Sequence, residues 1–325
     1  MTNAQTVLIT GAAGFIGSSL ADRLLADGLP VVGIDSFNDF YDPAAKRRNV
    51  ESAMPQPHYE LVEADIRDRD AVLDLFARYQ PSVVVHLAAM AGVRPSIQRP
   101  AHYTAVNVDG TVNLLDAAVA VGTAKFIFAS SSSVYGNNPK VPFAEDDRVD
   151  HPISPYAATK KAGELLCHTY HHVHGLPVTC LRFFTVFGPR QRPDLAITKF
   201  LRLVAADKPI PMFGDGTTSR DYTFIDDIVA GVRAAMQHCG EKGHPAESYR
   251  IYNLGGNHPI TLADLIFTIE KVTGKTARIE RQPMQAGDVE RTWADLTRST
   301  AELDYAPQTS VADGIAQQWA WMQKH

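Results

Sequence analysis

Short apolar runs rich in β-branched residues alternate with longer amphipathic patterns through about the first 180 of the 325 residues. These runs are too apolar for strands with one exposed face, so they indicate buried parallel strands with helices between them. A strict alternation of strand and helix requires right-handed crossovers, which cover both faces of one sheet. The sequence therefore predicts an α/β fold with a doubly wound parallel sheet. The clearest strands are residues 6–10, 31–35, 83–87, 126–129 and 178–181, and the clearest helices are 15–26, 69–79, 101–121 and 156–172.

The regular alternation stops after Arg182, where Gly- and Pro-rich loops separate shorter elements. At roughly 150 residues per domain, the chain length points to two domains. We expect residues 1–182 to form the first domain and residues 183–325 to form a smaller C-terminal α/β lobe. A strand-like run at 249–254 predicts an interleaved boundary, with about residues 226–254 returning to the first domain.

Three glycines, Gly11, Gly14 and Gly17, follow the first predicted strand and open the first helix. Such a turn lets a pyrophosphate approach the backbone, and the helix N-terminus offers it free N–H groups. Asp35 ends the second strand, 18 residues beyond Gly17, where a carboxylate accepts hydrogen bonds from an adenosine ribose and repels a 2′-phosphate. The pattern favours a Rossmann domain that binds NAD rather than NADP. The alternatives are a glycine triplet that only allows close packing and an aspartate that only shapes a turn.

Small and polar residues follow the next two strands of the predicted sheet. Asp65 and Ile66 come after the third strand, and Leu87, Ala88 and Ala89 come after the fourth, where the adenine and second ribose would pass. Ordinary packing is the alternative for the alanines. The predicted cofactor contacts are Gly11, Gly14, Phe15, Ile16, Gly17, Asp35, Asn38, Asp65, Ile66, Leu87, Ala88, Ala89, Asn107, Ser130, Tyr156, Lys160 and Phe183.

Tyr156 and Lys160 open the helix that follows the fifth strand. A spacing of four places the phenol and the ammonium on one helix face. The pKa of an unperturbed tyrosine is about 10, so a neighbouring lysine and a positive nicotinamide ring are needed to favour phenolate. Four serines, residues 130–133, end the fifth strand, where open α/β sheets place their ligands. The sequence therefore predicts a catalytic site here, against the alternative of an exposed helix pair.

These motifs together resemble the extended short-chain dehydrogenase/reductase superfamily of nucleotide-sugar enzymes, nearly from end to end. The resemblance implies a catalytic triad of Ser131, Tyr156 and Lys160. Tyr156 would take the proton from a sugar hydroxyl, Ser131 would bind the same oxygen, and Lys160 would orient the nicotinamide ribose. The expected product of this first step is a bound 4-keto sugar.

Ser132 and Ser133 discriminate among the reactions that can follow the oxidation. The related 4,6-dehydratases carry Asp-Glu at these positions and the related decarboxylases resemble Ser-Glu, whereas this chain has no carboxylate from residue 126 through residue 144. The acid and base for an elimination are therefore missing locally. We expect epimerisation, in which the ketone turns over and takes the hydride back on its other face.

Three segments, residues 36–43, 182–194 and 287–293, resemble the UDP-glucuronate 4-epimerases in particular. Thr185 stands where UDP-glucose epimerases usually have asparagine. The resemblance implies reversible C4 epimerisation of UDP-glucuronate to UDP-galacturonate with tightly bound NAD. The alternatives are an epimerase of neutral UDP-hexoses such as UDP-glucose, a UDP-glucuronate decarboxylase, and a non-catalytic protein that senses a dinucleotide.

The substrate is expected to meet hydroxyl groups at one end and guanidinium groups at the other. The hydroxyls of Ser132, Ser133 and Thr185, with Arg192 nearby, would bind the C5 carboxylate, unless they bind loop backbone instead. Arg220 offers a guanidinium fork to the diphosphate. We expect these contacts mainly from the C-terminal lobe, residues 183–325. The predicted substrate contacts are Ser131, Ser132, Ser133, Thr185, Arg192, Arg220, Asp288 for the uridine, and Arg291 as a second phosphate donor.

Charge and composition restrict the partners of the chain. Thirty-one Lys and Arg against 36 Asp and Glu give a net charge of −5, so no global basic field attracts nucleic acid or an anionic membrane. We expect a cytoplasmic protein without a membrane span, and the three cysteines suit a reducing compartment. No metal site is expected, because the histidines near residue 171 suit a solvated helix end. The superfamily implies a homodimer through helices 101–121 and 156–172.

Overall fold

The computed structural model of the protein describes residues 5–283 and 289–325. Thirteen strands and twelve α-helices lie in this part of the chain. The strands are β1 Val7–Thr10, β2 Val31–Asp35, β3 Tyr59–Glu63, β4 Val83–His86, β5 Lys125–Ser131, β6 Val178–Phe183, β7 Thr185–Phe187, β8 Ile210–Phe213, β9 Ser219–Arg220, β10 Tyr222–Phe224, β11 Arg250–Leu254, β12 Ile260–Thr261 and β13 Ile279–Gln282. The helices are α1 Phe15–Ala26, α2 Pro43–Asn49, α3 Arg69–Tyr79, α4 Val93–Gln98, α5 Pro100–Thr104, α6 Gly110–Val121, α7 Pro155–His174, α8 Ala196–Ala205, α9 Ile225–His238, α10 Leu262–Thr273, α11 Thr297–Leu303 and α12 Val311–Met322.

Seven parallel strands form the central sheet, in the order β11-β6-β5-β4-β1-β2-β3. The predicted doubly wound α/β fold is therefore confirmed. Chain order reverses between β1 and β4, which leaves a crevice at the carboxyl ends of these two strands. Ligands of open α/β sheets bind at such a crevice.

The central strands are buried on both faces, which explains their continuous apolar sequence. All four residues of β1 are buried, and so are all four residues of β4. Val7 and Ile9 pack into one core, whereas Leu8 packs into a second core on the opposite face. Successive residues of a strand point to opposite faces, so one apolar run fills both cores.

Local signals set the ends of α7, the helix that carries Tyr156 and Lys160. The Ser154 hydroxyl accepts a hydrogen bond from the backbone N–H of Ala157 at 3.1 Å, and Pro155 occupies the first turn. Gly175 ends the helix in the left-handed conformation, with a φ of +69°. The helix start places Tyr156 directly beside the end of β5.

The predicted continuous helix 101–121 is wrong in one respect, because α5 and α6 are separated by a π-helical turn, Ala105–Asp109. The Asn107 side chain lies in this turn and is buried. Its Oδ1 accepts from the N–H of Met90 at 2.8 Å, and its Nδ2 donates to the Met90 carbonyl at 3.0 Å. The wider π-helical turn directs the Asn107 amide towards the loop at Met90. Such π-helical turns recur at functional sites.

The elements after β6 build a smaller assembly beside the carboxyl ends of the sheet. It contains the two-stranded pairs β7–β10, β9–β12 and β8–β13. Strand β11 pairs with β6 and so lies at the edge of the central sheet. The division into residues 1–182 and 183–325 stays a prediction. Throughout residues 5–283 and 289–325, the helices are too short or too polar to cross a bilayer.

Candidate active site

A cavity of about 490 Å³ opens at the carboxyl ends of the central strands. Cavities of this size hold small molecules and cofactors. Its wall contains every predicted cofactor contact except Asn107. The Asn107 side chain instead lies behind the wall, where it holds Met90, and its contact with a cofactor stays a prediction.

The glycine turn at the mouth of α1 has no room for side chains. Gly11 has a φ of +70°, and a Cβ atom there would lie 2.9 Å from the backbone N of Ala88. A Cβ atom on Gly17 would lie 2.1 Å from the carbonyl oxygen of Gly11. The turn therefore presents bare backbone and the N-terminus of α1 to the cavity, as a pyrophosphate requires.

Asp35 is held in one orientation at the end of β2. Its Oδ2 accepts from the N–H of Ala13 at 3.1 Å, and its Oδ1 accepts from the N–H of Phe37 at 2.9 Å. The side chain is buried and lines the cavity. Two backbone donors leave further lone pairs of the carboxylate available, so it fits the predicted contact with an adenosine ribose.

Lys46 and Tyr41 also line this end of the cavity, and the sequence reasoning missed both. The Lys46 ammonium lies 3.9 Å from Asp35 Oδ1 and donates to the carbonyl and side-chain oxygens of Asn38, both at 3.0 Å. The Tyr41 hydroxyl is buried and has no hydrogen-bond partner among the described residues. Tyr41 lies in the segment 36–43, which carries the family resemblance, and this was the available signal for it.

The predicted triad meets at the opposite end of the cavity, between β5 and α7. The Ser131 and Ser133 hydroxyls lie 2.9 Å apart, and Ser131 Oγ accepts from the N–H of Ser133 at 3.2 Å. Burial raises the pKa of Tyr156 above its ordinary value, and a hydrogen bond with the Ser131 hydroxyl and the charge of Arg192 offset part of this rise. These lowering contacts favour the phenolate that a base requires.

Lys160 lies one helical turn from Tyr156 and points at the sheet. Its Nζ donates to the carbonyl oxygen of Ala129 at 2.6 Å. Burial lowers the pKa of Lys160 to about 8. The ammonium is therefore mostly charged at neutral pH, although it is buried.

Ser132, Ser133, Thr185 and Arg192 line the same cavity beside the triad. The Arg192 guanidinium already binds Asp194 with two hydrogen bonds, of 3.0 and 2.8 Å. Its charge is therefore largely balanced within the protein. Apart from Arg192, the hydrogen-bond donors that line the cavity beside Tyr156 are mainly neutral hydroxyls.

A second cavity of about 230 Å³ adjoins the first, and Leu195 lines both. Arg220 lies in its wall together with Arg94 and Lys199, so three cations face it. Phe213 contributes an aromatic ring to the same wall. This cavity suits a diphosphate and a flat base better than it suits a sugar.

One predicted substrate contact, Arg291, does not line either cavity. Arg291 is exposed, and its guanidinium donates to the carbonyl oxygen of Pro139 at 2.8 Å. Asp288 lies outside the described residues. Both assignments stay predictions. Within residues 5–283 and 289–325, no three His, Cys, Asp or Glu side chains are grouped as a metal would require.

Comparisons with known proteins agree with this geometry. The family model described as GDP-mannose 4,6 dehydratase matches residues 8–318. The UDP-glucuronate 4-epimerase of Thermodesulfobacterium geofontis is 41% identical over 320 residues, which cover 98% of this chain and 96% of that protein. The chain belongs to the extended short-chain dehydrogenase/reductase family. The family assignment made from the sequence motifs is thereby confirmed.

Solved structures of the same family resemble the whole chain. The UDP-glucuronic acid 4-epimerase of Bacillus cereus, in complex with UDP-glucuronic acid and NAD, has a TM-score of 0.91 and 37% identity. The match covers 98% of this chain and 99% of that one. The UDP-glucose 4-epimerase of Thermotoga maritima, with UDP-glucose, has a TM-score of 0.89 and 30% identity over 98% of this chain and 99% of that one.

Proposed function

We propose that the protein catalyses the reversible C4 epimerisation of UDP-glucuronate to UDP-galacturonate. The observation that carries the proposal is the composition of the large cavity around Tyr156. Its only lining carboxylates among the described residues are Asp35, the last residue of β2, and Asp65, which follows β3, while hydroxyls line the wall beside Tyr156. The relatives named as UDP-glucuronate 4-epimerases support the same reading.

The cofactor is NAD, and the residues at the far end of the cavity fit it. The bare glycine turn at Gly11 would take the pyrophosphate, and Asp35 would take the adenosine ribose. A 2′-phosphate would place its negative charge beside the Asp35 carboxylate, which opposes NADP. When bound, NAD accepts a hydride from sugar C4 and returns it.

Tyr156, Ser131 and Lys160 handle the proton of the C4 hydroxyl. The Tyr156 phenolate takes this proton, and the Ser131 hydroxyl holds the sugar oxygen in line with it. The Ser131 hydrogen bond and the charge of Arg192 favour the phenolate. Lys160, whose pKa burial lowers to about 8, would orient the nicotinamide ribose. After the ketone has turned over, the hydride would add to the opposite face of C4, and Tyr156 would return the proton to the C4 oxygen.

The cavity lacks the groups for the competing elimination. Loss of water across C5 and C6 needs a base near C5 and an acid near the leaving hydroxyl. Neither Ser132 nor Ser133 is acidic, and Asp194 is bound to Arg192 in the wall of the second cavity. Of these two outcomes, the cavity therefore favours return of the hydride.

A 4-keto glucuronate is a β-keto acid, which is chemically fragile. Loss of CO2 breaks the C5–C6 bond, leaves the electron pair in an enolate of C4 and C5, and ends with a proton at C5 of a 4-keto pentose. Hydrogen bonds from Ser133 and Thr185 would stabilise the charged carboxylate and hold the C5–C6 bond out of line with the ketone. These hydroxyls would thus protect the intermediate during its rotation.

The diphosphate and uracil would occupy the second cavity. Arg220 and Lys199 supply positive charge there, and Phe213 supplies an aromatic face. Leu195, shared by both cavities, marks the point where the sugar and the nucleotide meet. A single UDP-sugar can therefore reach from Arg220 to Tyr156.

The function is tested by incubating the purified protein, without added cofactor, with UDP-glucuronate and separately with UDP-glucose, and identifying products by NMR. We expect UDP-galacturonate from the first and no product from the second. Turnover of UDP-glucose alone would contradict the substrate assignment. UDP-xylose as the main product would contradict the reaction type.

The protective role of the hydroxyls is tested with Thr185→Ala, with Thr185→Ser as the matched control that keeps the hydroxyl. We expect Thr185→Ala and Ser133→Ala to raise the fraction of UDP-pentose, because each removes a hydrogen bond to the carboxylate. Thr185→Ser should retain the wild-type product ratio. Unchanged ratios in both alanine variants would count against the role.

We also propose a homodimer that forms through α5, α6 and α7. Leu165 on α7 is 57% exposed and Ile97 on the neighbouring α4 is 50% exposed, which leaves apolar surface at this face. A Leu165→Asp variant should be monomeric by light scattering if the dimer uses α7.

A cytoplasmic location is proposed as well, supported by the unpaired, buried Cys167, Cys180 and Cys239.

A further inference from the structure

One buried ion pair brackets the serine cluster on both sides. The pair consists of Glu164 on α7 and Arg182 on β6, which are 0% and 1% exposed. Arg182 Nε donates to Glu164 Oε1 at 2.8 Å, and Nη2 donates to Oε2 at 2.9 Å. Neither residue lines either cavity, so neither is placed to touch a substrate.

Each end of the serine cluster is fastened to this pair. At the start of the cluster, residues 130–133, the Ser130 hydroxyl donates to Glu164 Oε1 at 2.6 Å. After the cluster, Arg182 Nη1 donates to the Tyr135 hydroxyl at 3.0 Å, and the guanidinium lies 4.9 Å from the Tyr135 ring centre. Residues 131–133 form the turn between these two anchors, so their position depends on the ion pair.

The same pair also fixes this turn relative to α7. Glu164 follows Lys160 by one helical turn, and Lys160 Nζ donates to the Ala129 carbonyl, directly before Ser130. The Tyr135 hydroxyl donates in turn to Asn253 Oδ1 at 2.7 Å on β11. The network therefore joins β5, α7, β6 and β11 around the back of the active site.

Stability alone is a weak reason to keep this pair. Removing two charges from water costs several kcal/mol per ion, and buried ion pairs can often be replaced by apolar side chains without loss of stability. The geometry is nevertheless highly specified, because a guanidinium is planar and contacts Glu164, Tyr135 and the Glu145 carbonyl at once. A lysine at this position would supply charge without the fork.

We propose that Glu164 and Arg182 are positioning residues that hold the serine hydroxyls against the sugar. The pair sets where Ser131 and Ser133 lie relative to Tyr156, and so decides whether the carboxylate is kept or lost. This inference rests on the proposed function.

The test compares Arg182→Lys and Glu164→Gln with a matched control, Arg250→Lys. Arg250, on the neighbouring strand β11, forms a two-point pair with Glu302 on α11, and neither residue lines either cavity. Each variant is given UDP-glucuronate, and kcat, KM and the ratio of UDP-pentose to UDP-galacturonate are measured. Circular dichroism melting reports folding.

For Arg182→Lys we expect a kcat lower by about 10- to 100-fold, as for a misplacement of about 1 Å, and a KM within about twofold of wild type. The ratio of UDP-pentose to UDP-galacturonate should rise by about tenfold, while Arg250→Lys should lower the melting temperature without changing the ratio. A wild-type ratio and kcat in folded Arg182→Lys would overturn the proposal. If Arg182→Lys does not fold, Glu164→Gln, which keeps the side-chain volume, decides the same comparison.

The outcome is separable from that of the proposed function. If the wild type converts only UDP-glucose, the function assignment fails. The kcat and KM of Arg182→Lys on UDP-glucose then still decide the positioning role, because a lower kcat at constant KM supports it and equal loss in Arg250→Lys refutes it.

Discussion

His86 lies at the centre of a buried hydrogen-bond chain beneath the cavity. Its Nε2 lies 2.9 Å from the Thr111 hydroxyl, which itself donates to the Asn107 carbonyl at 2.7 Å. Nε2 must therefore carry the proton, and Nδ1 accepts from the Thr10 hydroxyl at 2.8 Å. The Thr10 hydroxyl accepts in turn from the N–H of Ala88, in the wall of the cavity. This hydrogen-bond chain leaves no acceptor for a second N–H on the His86 ring.

This neutral ring makes the stability of the protein dependent on pH. Burial, and secondarily the charge of Lys160, lower the pKa of His86 from 6.5 to about 3. Below pH 6.5 the unfolded chain binds a proton on His86 that the folded chain does not bind. The contribution of the neutral ring to the free energy of unfolding is therefore fully present above pH 6.5 and is lost as pH falls towards 3. With an unfolded pKa of 6.5, the loss amounts to about 2 kcal/mol at pH 5 and about 3 kcal/mol at pH 4.

The assay is urea unfolding of wild type and His86→Gln at about pH 8 and about pH 5. Glutamine keeps a donor and an acceptor but cannot take the charge, so the variant should be less stable at pH 8 and less sensitive to acid. Carboxylates titrate in both proteins. The difference between the two changes in unfolding free energy therefore isolates the contribution of His86, about 2 kcal/mol. Equal losses of unfolding free energy in the two proteins between these pH values would refute the reasoning. A His86 ring that titrates near neutrality by NMR would refute it as well.

Three further substitutions have defined outcomes. Gly163→Ala places a Cβ atom 2.2 Å from Phe128 Cζ, so we expect a loss of about 1–3 kcal/mol, read as a lower urea midpoint. Tyr156→Phe removes the proposed proton acceptor, so turnover should fall by about 10²–10⁴-fold while bound nicotinamide, measured after denaturation, stays at the wild-type level. Asp221→Asn leaves one acceptor oxygen for three backbone N–H groups beside Arg220, so KM for the UDP-sugar should rise by about tenfold with a smaller change in kcat. An unchanged KM for Asp221→Asn in steady-state kinetics would show that this carboxylate does not support the nucleotide site.

The parts of the fold that the sequence predicted are those with a local physical cause. Helices 15–26 and 69–79 have the predicted bounds, because a glycine turn opens one and the Asp68 carboxylate caps the other. The edge strand β11 was recognisable from its apolar run, since burial against β6 requires one. The site at the carboxyl ends of the strands followed from the strand order expected of a doubly wound sheet.

The parts that it missed depend on contacts between distant segments. Nothing near Arg182 in the sequence indicates that Glu164 will meet it, since an arginine in a strand reads as an exposed edge. Lys46 is an ordinary polar position of a short helix, yet its ammonium is buried beside Asp35. The π-turn at Asn107 also lacks a local signal, because its cause is the loop at Met90.

The arrangement of charge explains how a chain with a net charge of −5 suits a substrate with three anionic groups. Positive side chains gather at the second cavity, where Arg220 and Lys199 would face the diphosphate that must be held throughout the proposed reaction. At the sugar end, Arg192 is balanced by Asp194, which leaves neutral hydroxyls for the carboxylate. A ring that must turn over cannot keep a strong two-point ion pair on both faces, whereas hydrogen bonds of about 1 kcal/mol each can be exchanged during the rotation. Firm electrostatic binding of the nucleotide and weak, replaceable binding of the sugar are therefore what epimerisation requires of this site.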